Sequence, residues 1–389
     1  MSMTEKEYIH FHRPYMDDEE IHEVADTIRS GWLSVGPKTL LFEERFREYI
    51  GSKYAAVVNS WTAAGHLALE AIGLKEGDEV IIPTFTFPAT AEIICYFKAK
   101  PVLVDIHPDS MNMDVSQIES RITSKTRAII PVHYGGLPCD MDEINQIAKK
   151  YNLTVIEDAA HALPSWYKGK KVGTLSDITC FSFYATKTLA TGEGGMVCSD
   201  NEDIQKRVSV MRLHGIDRNV WNRYANAGSW YFEVIAPGYK YNFTDIHAAL
   251  GIVQLRKLEE MWTARKRITG IYDKGFTNNE LLTLPKHFPD RESSYHLYAV
   301  RVNQDALSVS RDQIIQELKE EGIGTSMHFI PVHRHPFYRD TFKLDLKDYP
   351  HAEHAYHTVI TLPIYPGLSD KNIERVIETV SRILQKHKK

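Results

Sequence analysis

The feature that most constrains this chain is an alternation. Short apolar runs recur at residues 54–58, 79–83, 101–106, 127–132 and 154–156, with helix-length stretches between them at 63–72, 89–97, 115–122 and 141–151. Strand and helix alternating at that spacing predict an α/β fold with a mostly parallel central sheet covered by helices. In such sheets ligands bind beyond the carboxyl ends of the strands, so the residues that follow each run are the ones to read for chemistry.

After the first run comes Asn59-Ser60-Trp61-Thr62-Ala63-Ala64-Gly65. A turn of small polar residues opening a helix leaves backbone N–H groups free for a phosphate. Ser60 as a plain N-cap explains the same residues. After the second run, Thr84-Phe85-Thr86-Phe87-Pro88 offers aromatic rings that suit either a flat wall for a planar ligand or core packing. After the run ending at Ile156, Glu157-Asp158-Ala159-Ala160-His161 puts a carboxylate at a buried strand end. That position costs desolvation unless a cation or hydrogen bonds answer it, although Asp158 also suits a turn cap. The stretch 179–196, TCFSFYATKTLATGEGGM, sets one lysine, Lys187, in a small-residue loop between two strand-like runs. Alone, such a lysine is an ordinary surface charge. Together, a phosphate turn, a ring wall, a strand-end carboxylate, Ser182 and Lys187 suit one cofactor, pyridoxal 5′-phosphate. Its aldehyde needs an amine, and its ring nitrogen needs a carboxylate.

Composition narrows the setting. The chain has 389 residues, 43% hydrophobic and 25% charged, with a formal charge of −5, so electrostatics gives no reason to expect nucleic-acid or anionic-membrane binding. No apolar run approaches the ~20 residues that span a bilayer, and the N-terminus lacks the apolar stretch of a signal peptide. Cys95, Cys139, Cys180 and Cys198 are widely spaced, as reduced thiols are, and the cytoplasm is the expected compartment. Two domains are expected. Residues 1–251 would form the large domain, and 252–389 a connecting helix (252 to about 272) and a smaller α+β domain with a strand-like run at 324–329.

The motifs GWLSVGP, EDAAHALPSWYKGKKVG, FSFYATKTLATGEGGM, PGYKYNFTDIHAALG and GIGTSMHFIPVH occur in that order across nearly the whole chain. In them the sequence resembles the sugar aminotransferases of the DegT/DnrJ/EryC/StrS group, which have the pyridoxal-phosphate transferase fold type I. Within the group it looks most like the spore-coat polysaccharide and UDP-4-keto-pentose aminotransferases. The resemblance implies that Lys187 binds the cofactor aldehyde, Asp158 pairs with the ring nitrogen, Phe87 stacks on the ring and His161 lies near its hydroxyl. It also implies that Thr62, Ala63 and Ser182 hold the phosphate, and that Asn242 reaches the same phosphate from the partner subunit of a homodimer. Lys187, Asp158 and His161 are the catalytic candidates. The related sugar dehydratases carry histidine in place of the lysine.

By the same resemblance, L-glutamate is the donor and a nucleotide-linked keto sugar the acceptor, with C4 of a UDP-linked 4-keto sugar ahead of a 3-keto sugar. Trp32, Tyr184, Lys240, His328 and His333 are the candidate sugar contacts. No metal is expected, because His328, His333 and His335 lack a carboxylate or cysteine at ligand spacing. An oxidoreductase would need a GxGxxG turn after an early strand, which is absent. A non-catalytic binding protein would not need both Lys187 and Asp158.

Overall fold

The computed structural model describes residues 7–217 and 231–389. Its strands in chain order are β1 (Tyr54–Val58), β2 (Glu79–Pro83), β3 (Lys100–Val104), β4 (Thr126–Ile129) and β5 (Thr154–Asp158). They continue with β6 (Trp166–Tyr167), β7 (Lys170–Lys171), β8 (Ile178–Ser182) and β9 (Gly195–Ser199). The last four are β10 (Leu282–Thr283), β11 (Arg291–Glu292), β12 (Tyr298–Val302) and β13 (Val359–Leu362). A seven-stranded sheet has the order β1-β9-β8-β5-β4-β2-β3. The pairs from β8 to β3 are parallel, whereas β9 runs antiparallel to both of its neighbours.

The helices between the parallel strands serve as crossovers and cover the sheet, which is why its strands read as continuous apolar runs. Between β8 and β9 there is no such helix, only the loop that carries Lys187, so the chain can return only in the opposite direction. Gly195 makes that return possible at close range. A Cβ there would lie 2.5 Å from the Ser60 carbonyl oxygen, so only glycine lets β9 pass against the Ser60 turn.

The crossover elements differ in detail from their sequence pattern. Residues 115–122 form a 3-10 turn, Val115–Gln117, and a short helix, Ile118–Arg121, rather than one helix. The connecting helix runs Asp245–Phe276 and does not start at residue 252. Thr244 caps it, accepting the His247 amide at 3.3 Å. Gly251, the last residue of the expected large domain, lies inside the helix, where its bare α-carbon admits the Phe42 ring; a Cβ would meet that ring at 2.7–2.9 Å.

The first half of this helix packs with Phe42, Phe46 and Phe181 beside the large sheet. Its second half packs, through Ile268, Tyr272 and Phe276, on a separate cluster around the sheet β10-β12-β13. Ile9 belongs to that second cluster and pairs with the chain at Gly322 and Gly324, at 2.8 Å each. The segment at Ile9 is therefore packed against the C-terminal part, although the sequence division groups it with residues up to 251. The run 324–329 forms no named strand; the Gly324 amide donates to the Ile9 carbonyl and Ser326 bridges to Thr361. Among the described residues no helix is long and apolar enough to cross a membrane.

One buried carboxylate ties the long helix to the helix Pro37–Ile50. Asp245 accepts from the amides of Lys38 (3.1 Å) and Thr39 (2.9 Å) and from the Thr39 hydroxyl (2.6 Å). It thereby satisfies the free N-terminal donors of that helix and complements its dipole. Asp245→Ala leaves these donors unpaired in the interior and is expected to lower unfolding stability by about 2–4 kcal/mol, measured by urea denaturation. A midpoint equal to that of the unaltered protein would refute this account of the helix start.

Candidate active site

The carboxyl ends of β1, β2, β5 and β8 open on a cavity of ≈ 730 Å³ that both Lys187 and Asp158 line. Asp158 ends β5, with its amide bound to the Pro131 carbonyl (2.9 Å) and its carbonyl accepting from the His133 amide (3.1 Å). Asp158 as a whole is 4% exposed. Burial raises its pKa to about 6, opposed by the Ala160 amide, the Thr90 hydroxyl, Lys187 and His133.

Lys187 follows β8 in a turn closed by its amide on the Tyr184 carbonyl at 2.8 Å. The residue is half-buried, and its side chain lines the cavity rather than the outer surface. Desolvation lowers its pKa to about 8, against the pull of Asp158. At pH 7 about a tenth of such an amine is unprotonated, against roughly one part in three thousand for an ordinary lysine. That is the condition of a nucleophilic amine.

The other walls fit around this pair. The helix Trp61–Ala71 starts at the cavity, and Thr62 lines it in the first turn. Ser182, the last residue of β8, lines it beside Thr62 and Gly194. Phe87 is 61% exposed, a large apolar ring left uncovered at the cavity with Phe329 6.2 Å away. His161 is held between Phe329, stacked at 5.7 Å and 17°, and His296 at 4.4 Å. Its Nδ1 is buried without a partner among the described residues. Burial, helped by Lys187 and His328, holds the His161 pKa well below the usual imidazole range. Burial likewise lowers His328 to about 4, so both rings are neutral at pH 7.

These residues fit pyridoxal phosphate. The orphaned His161 Nδ1 suits the ring hydroxyl and Asp158 the ring nitrogen. Lys187 suits the aldehyde, Phe87 a ring face, and the Thr62 and Ser182 edge the phosphate. Bound there, the group supplies an aldehyde that takes up an amine and a ring that accepts electrons from a deprotonated carbon.

Eight of the residues expected from sequence meet at the cavity: Thr62, Phe87, Asp158, His161, Ser182, Tyr184, Lys187 and His328. The others lie elsewhere. Ala63 is buried behind the wall, and its amide is taken by the capping Ser60 hydroxyl at 3.0 Å, so it offers no free donor to a phosphate. Asn242 donates to the Phe243 carbonyl at 3.1 Å and pairs with Val58 beyond the cavity lining. Trp32 is half-buried and Lys240 exposed, and neither lines the cavity.

His333 corrects the sequence reading. It is fully buried, bonded to the Thr84 hydroxyl at 2.6 Å and Glu353 at 2.7 Å and stacked on Tyr349, so it braces the wall instead of facing a sugar. Among the described residues, no group of three or more His, Cys, Asp or Glu side chains is placed to hold a metal. Thr86, Thr90, His296 and Phe329 also line the cavity and were not singled out from the sequence. The one available signal was position, since Thr86 and Thr90 sit within and just after the aromatic wall motif.

A desolvated lysine sharing a cavity with a strand-end carboxylate, at the carboxyl edge of a helix-covered sheet, defines a pyridoxal-phosphate enzyme of fold type I. The chain belongs to the DegT/DnrJ/EryC1/StrS aminotransferase family, whose model matches residues 14–381, and it is an aminotransferase that uses pyridoxal phosphate. It is 52% identical over 97% of both chains to the uncharacterized protein MJ1066 of Methanocaldococcus jannaschii. It is 44% identical over 99% of both chains to the spore coat polysaccharide biosynthesis protein SpsC of Bacillus subtilis. Among solved structures it superposes on the putative sugar aminotransferase Spr1654 of Streptococcus pneumoniae, in its PLP form, with a TM-score of 0.90 and 36% identity, covering 97% of this chain and 99% of that one.

The lowered amine pKa has a measurable consequence. In the cofactor-free protein, modification of Lys187 by an amine-selective reagent, followed by peptide mass spectrometry, should rise through a midpoint near pH 8 while surface lysines rise near 10.4. Asp158→Asn removes the charge that favours the ammonium form and should move the midpoint lower still. A midpoint at the ordinary lysine value would contradict the desolvated site.

Proposed function

We propose that this aminotransferase moves the amino group of L-glutamate to C4 of a UDP-linked 4-keto sugar, giving a 4-amino-4-deoxy sugar nucleotide for a cell-surface or spore-coat polysaccharide. The observation that carries the reading is the 44% identity to a spore coat polysaccharide biosynthesis protein over 99% of both chains, with Lys187 and Asp158 facing one cavity. Similarity to a putative sugar aminotransferase solved in both PLP and PMP forms supports a two-stage exchange. Glutamate enters and leaves as 2-oxoglutarate, and the keto sugar then enters and leaves as the amine.

Each residue has one task in this reading. Lys187 Nζ holds the cofactor at rest and, once released, takes the proton from the donor α-carbon. Asp158 keeps the ring nitrogen charged, His161 orients the hydroxyl edge, Phe87 covers a ring face, and Thr62 and Ser182 bind the phosphate. Tyr184 and His328 face the sugar. The working unit is a homodimer in which Asn242 serves the partner's phosphate site, and the chain divides into a large domain and a smaller C-terminal one that share the helix Asp245–Phe276.

Lys187→Ala should fold normally and lose at least about a thousandfold in turnover; near-normal turnover would sink the assignment. The acceptor is tested by incubating enzyme and glutamate with UDP- and dTDP-linked 3-keto and 4-keto sugars and following amine gain by mass spectrometry. The expected outcome is amination of a UDP-linked 4-keto sugar. Uptake by a 3-keto sugar alone would overturn the C4 reading.

A further inference from the structure

Asp158 must remain charged where charge is penalised, and few protein groups help it. Its Oδ1 accepts from the Ala160 amide at 3.1 Å and its Oδ2 from the Thr90 hydroxyl at 2.9 Å. Thr90 Oγ1 in turn lies 2.9 Å from Thr86 Oγ1. All three side chains are buried: Thr90 is 0% exposed and Thr86 1%.

The direction of this chain follows from proton counting. A hydroxyl has one proton to donate, and an ionised carboxylate can only accept. Thr90 therefore gives its proton to Asp158, and Thr86 gives its own to Thr90. The reverse polarity would need a protonated Asp158 and an acceptor for the Thr86 proton, and among the described residues Thr86 Oγ1 has no hydrogen-bond partner besides Thr90. Hydroxyls linked in one direction polarise each other toward the acceptor.

Thr90 also departs from the usual behaviour of a threonine near the start of a helix. Such side chains commonly bond back to a carbonyl one turn earlier. This one turns away from its helix, Ala89–Cys95, to a carboxylate on a different strand. If space filling were its role, valine would serve equally well.

We propose that Thr90, oriented by Thr86, is a positioning residue that holds Asp158 ionised and aimed at the ring nitrogen of the bound cofactor. The inference depends on the cofactor and not on the identity of the sugar. In Thr90→Val the carboxylate keeps only the Ala160 amide. The charged and titratable groups that face it remain: Lys187 from the loop after β8, His133 from the segment after β4, and the thiols of Cys139 and Cys180. Desolvation then acts with less opposition, the carboxyl protonates at higher pH, and a protonated carboxyl no longer favours a cationic ring nitrogen.

The test reads Asp158 itself. In the cofactor-free protein the Asp158 carboxyl is followed by ¹³C NMR through a pH titration, its signal identified by its loss in Asp158→Asn. Thr90→Val should raise the midpoint by about one pH unit or more, and Thr86→Val should raise it by less. Thr90→Ser, which keeps the hydroxyl, should restore it. With ¹⁵N-labelled pyridoxal phosphate bound, a smaller fraction of the ring nitrogen should carry the proton at neutral pH in Thr90→Val than in the unaltered protein. A carboxyl midpoint unchanged in Thr90→Val would overturn the proposal. If that variant does not fold, an unchanged midpoint in folded Thr86→Val would overturn it equally. Neither readout involves the sugar, so failure of the acceptor assignment leaves both intact.

Discussion

The structure turns on one unfavourable placement, a carboxylate and an amine set together in one cavity where burial penalises the charge of each. Burial pushes the Asp158 carboxyl up to about 6 and the Lys187 amine down to about 8, so each is driven toward its neutral form and only partly held back by the other. The neighbouring residue shows the alternative treatment of a buried charge. Glu157 is 0% exposed and accepts from His133 Nε2 (2.8 Å), the Ser176 hydroxyl (2.7 Å) and the Thr179 hydroxyl (2.9 Å). The His133 donor is itself set by the Cys139 amide, which occupies Nδ1 at 3.0 Å. Successive residues of a strand face opposite ways, so Glu157 points into a saturated interior and Asp158 into the cavity. Asp158 is left with acceptor capacity that the protein does not use, and that spare capacity separates a ligand-binding carboxylate from a structural one.

Keeping this pair in place requires walls that do not collapse onto it. The wall with Phe87 is fixed at its root, where Val332 donates to the Thr84 carbonyl at 2.7 Å and His333 bonds the Thr84 hydroxyl. The same C-terminal segment carries His328 and Phe329, so the aromatic wall and the segment that clamps His161 are joined a few residues from the cavity. On the other side, Gly195 lets β9 press against the Ser60 turn, which presents Thr62 to the space in front of Ser182. Elements far apart in the chain thus set the distance between the parts of one small site.

The parallel strands, the helix-covered sheet and the Lys187 loop were legible because each follows from local rules: apolar runs of strand length, turn residues, and a lysine where no crossover helix fits. What escaped depended on partners distant in sequence. Gly251 reads as the boundary before the connecting helix until the Phe42 ring is seen against it inside that helix. His333 reads as a possible sugar contact because its acceptor Glu353 and its partner Thr84 lie on other elements. Ala63 and Ser60 are indistinguishable as phosphate donors until the cap is formed and one amide is used. Thr90 is an ordinary helix residue in sequence, and its role appears only when Asp158 is brought within 2.9 Å. Motif order identified the chemistry, whereas the choice of residues around it was a question of long-range hydrogen bonding.

Charge balance carries the argument one step further. Among the described residues that line the cavity, the cation is Lys187, set against Asp158 and Glu193. His161, His296 and His328 are all driven toward the neutral imidazole, so they donate or accept hydrogen bonds without adding charge. A phosphate held by these residues leans on the helix N-terminus and on hydroxyls, which stabilise an anion by dipoles rather than by a counter-charge. The proposed substrates, a dicarboxylate and a nucleotide diphosphate, would then need positive potential from beyond this lining.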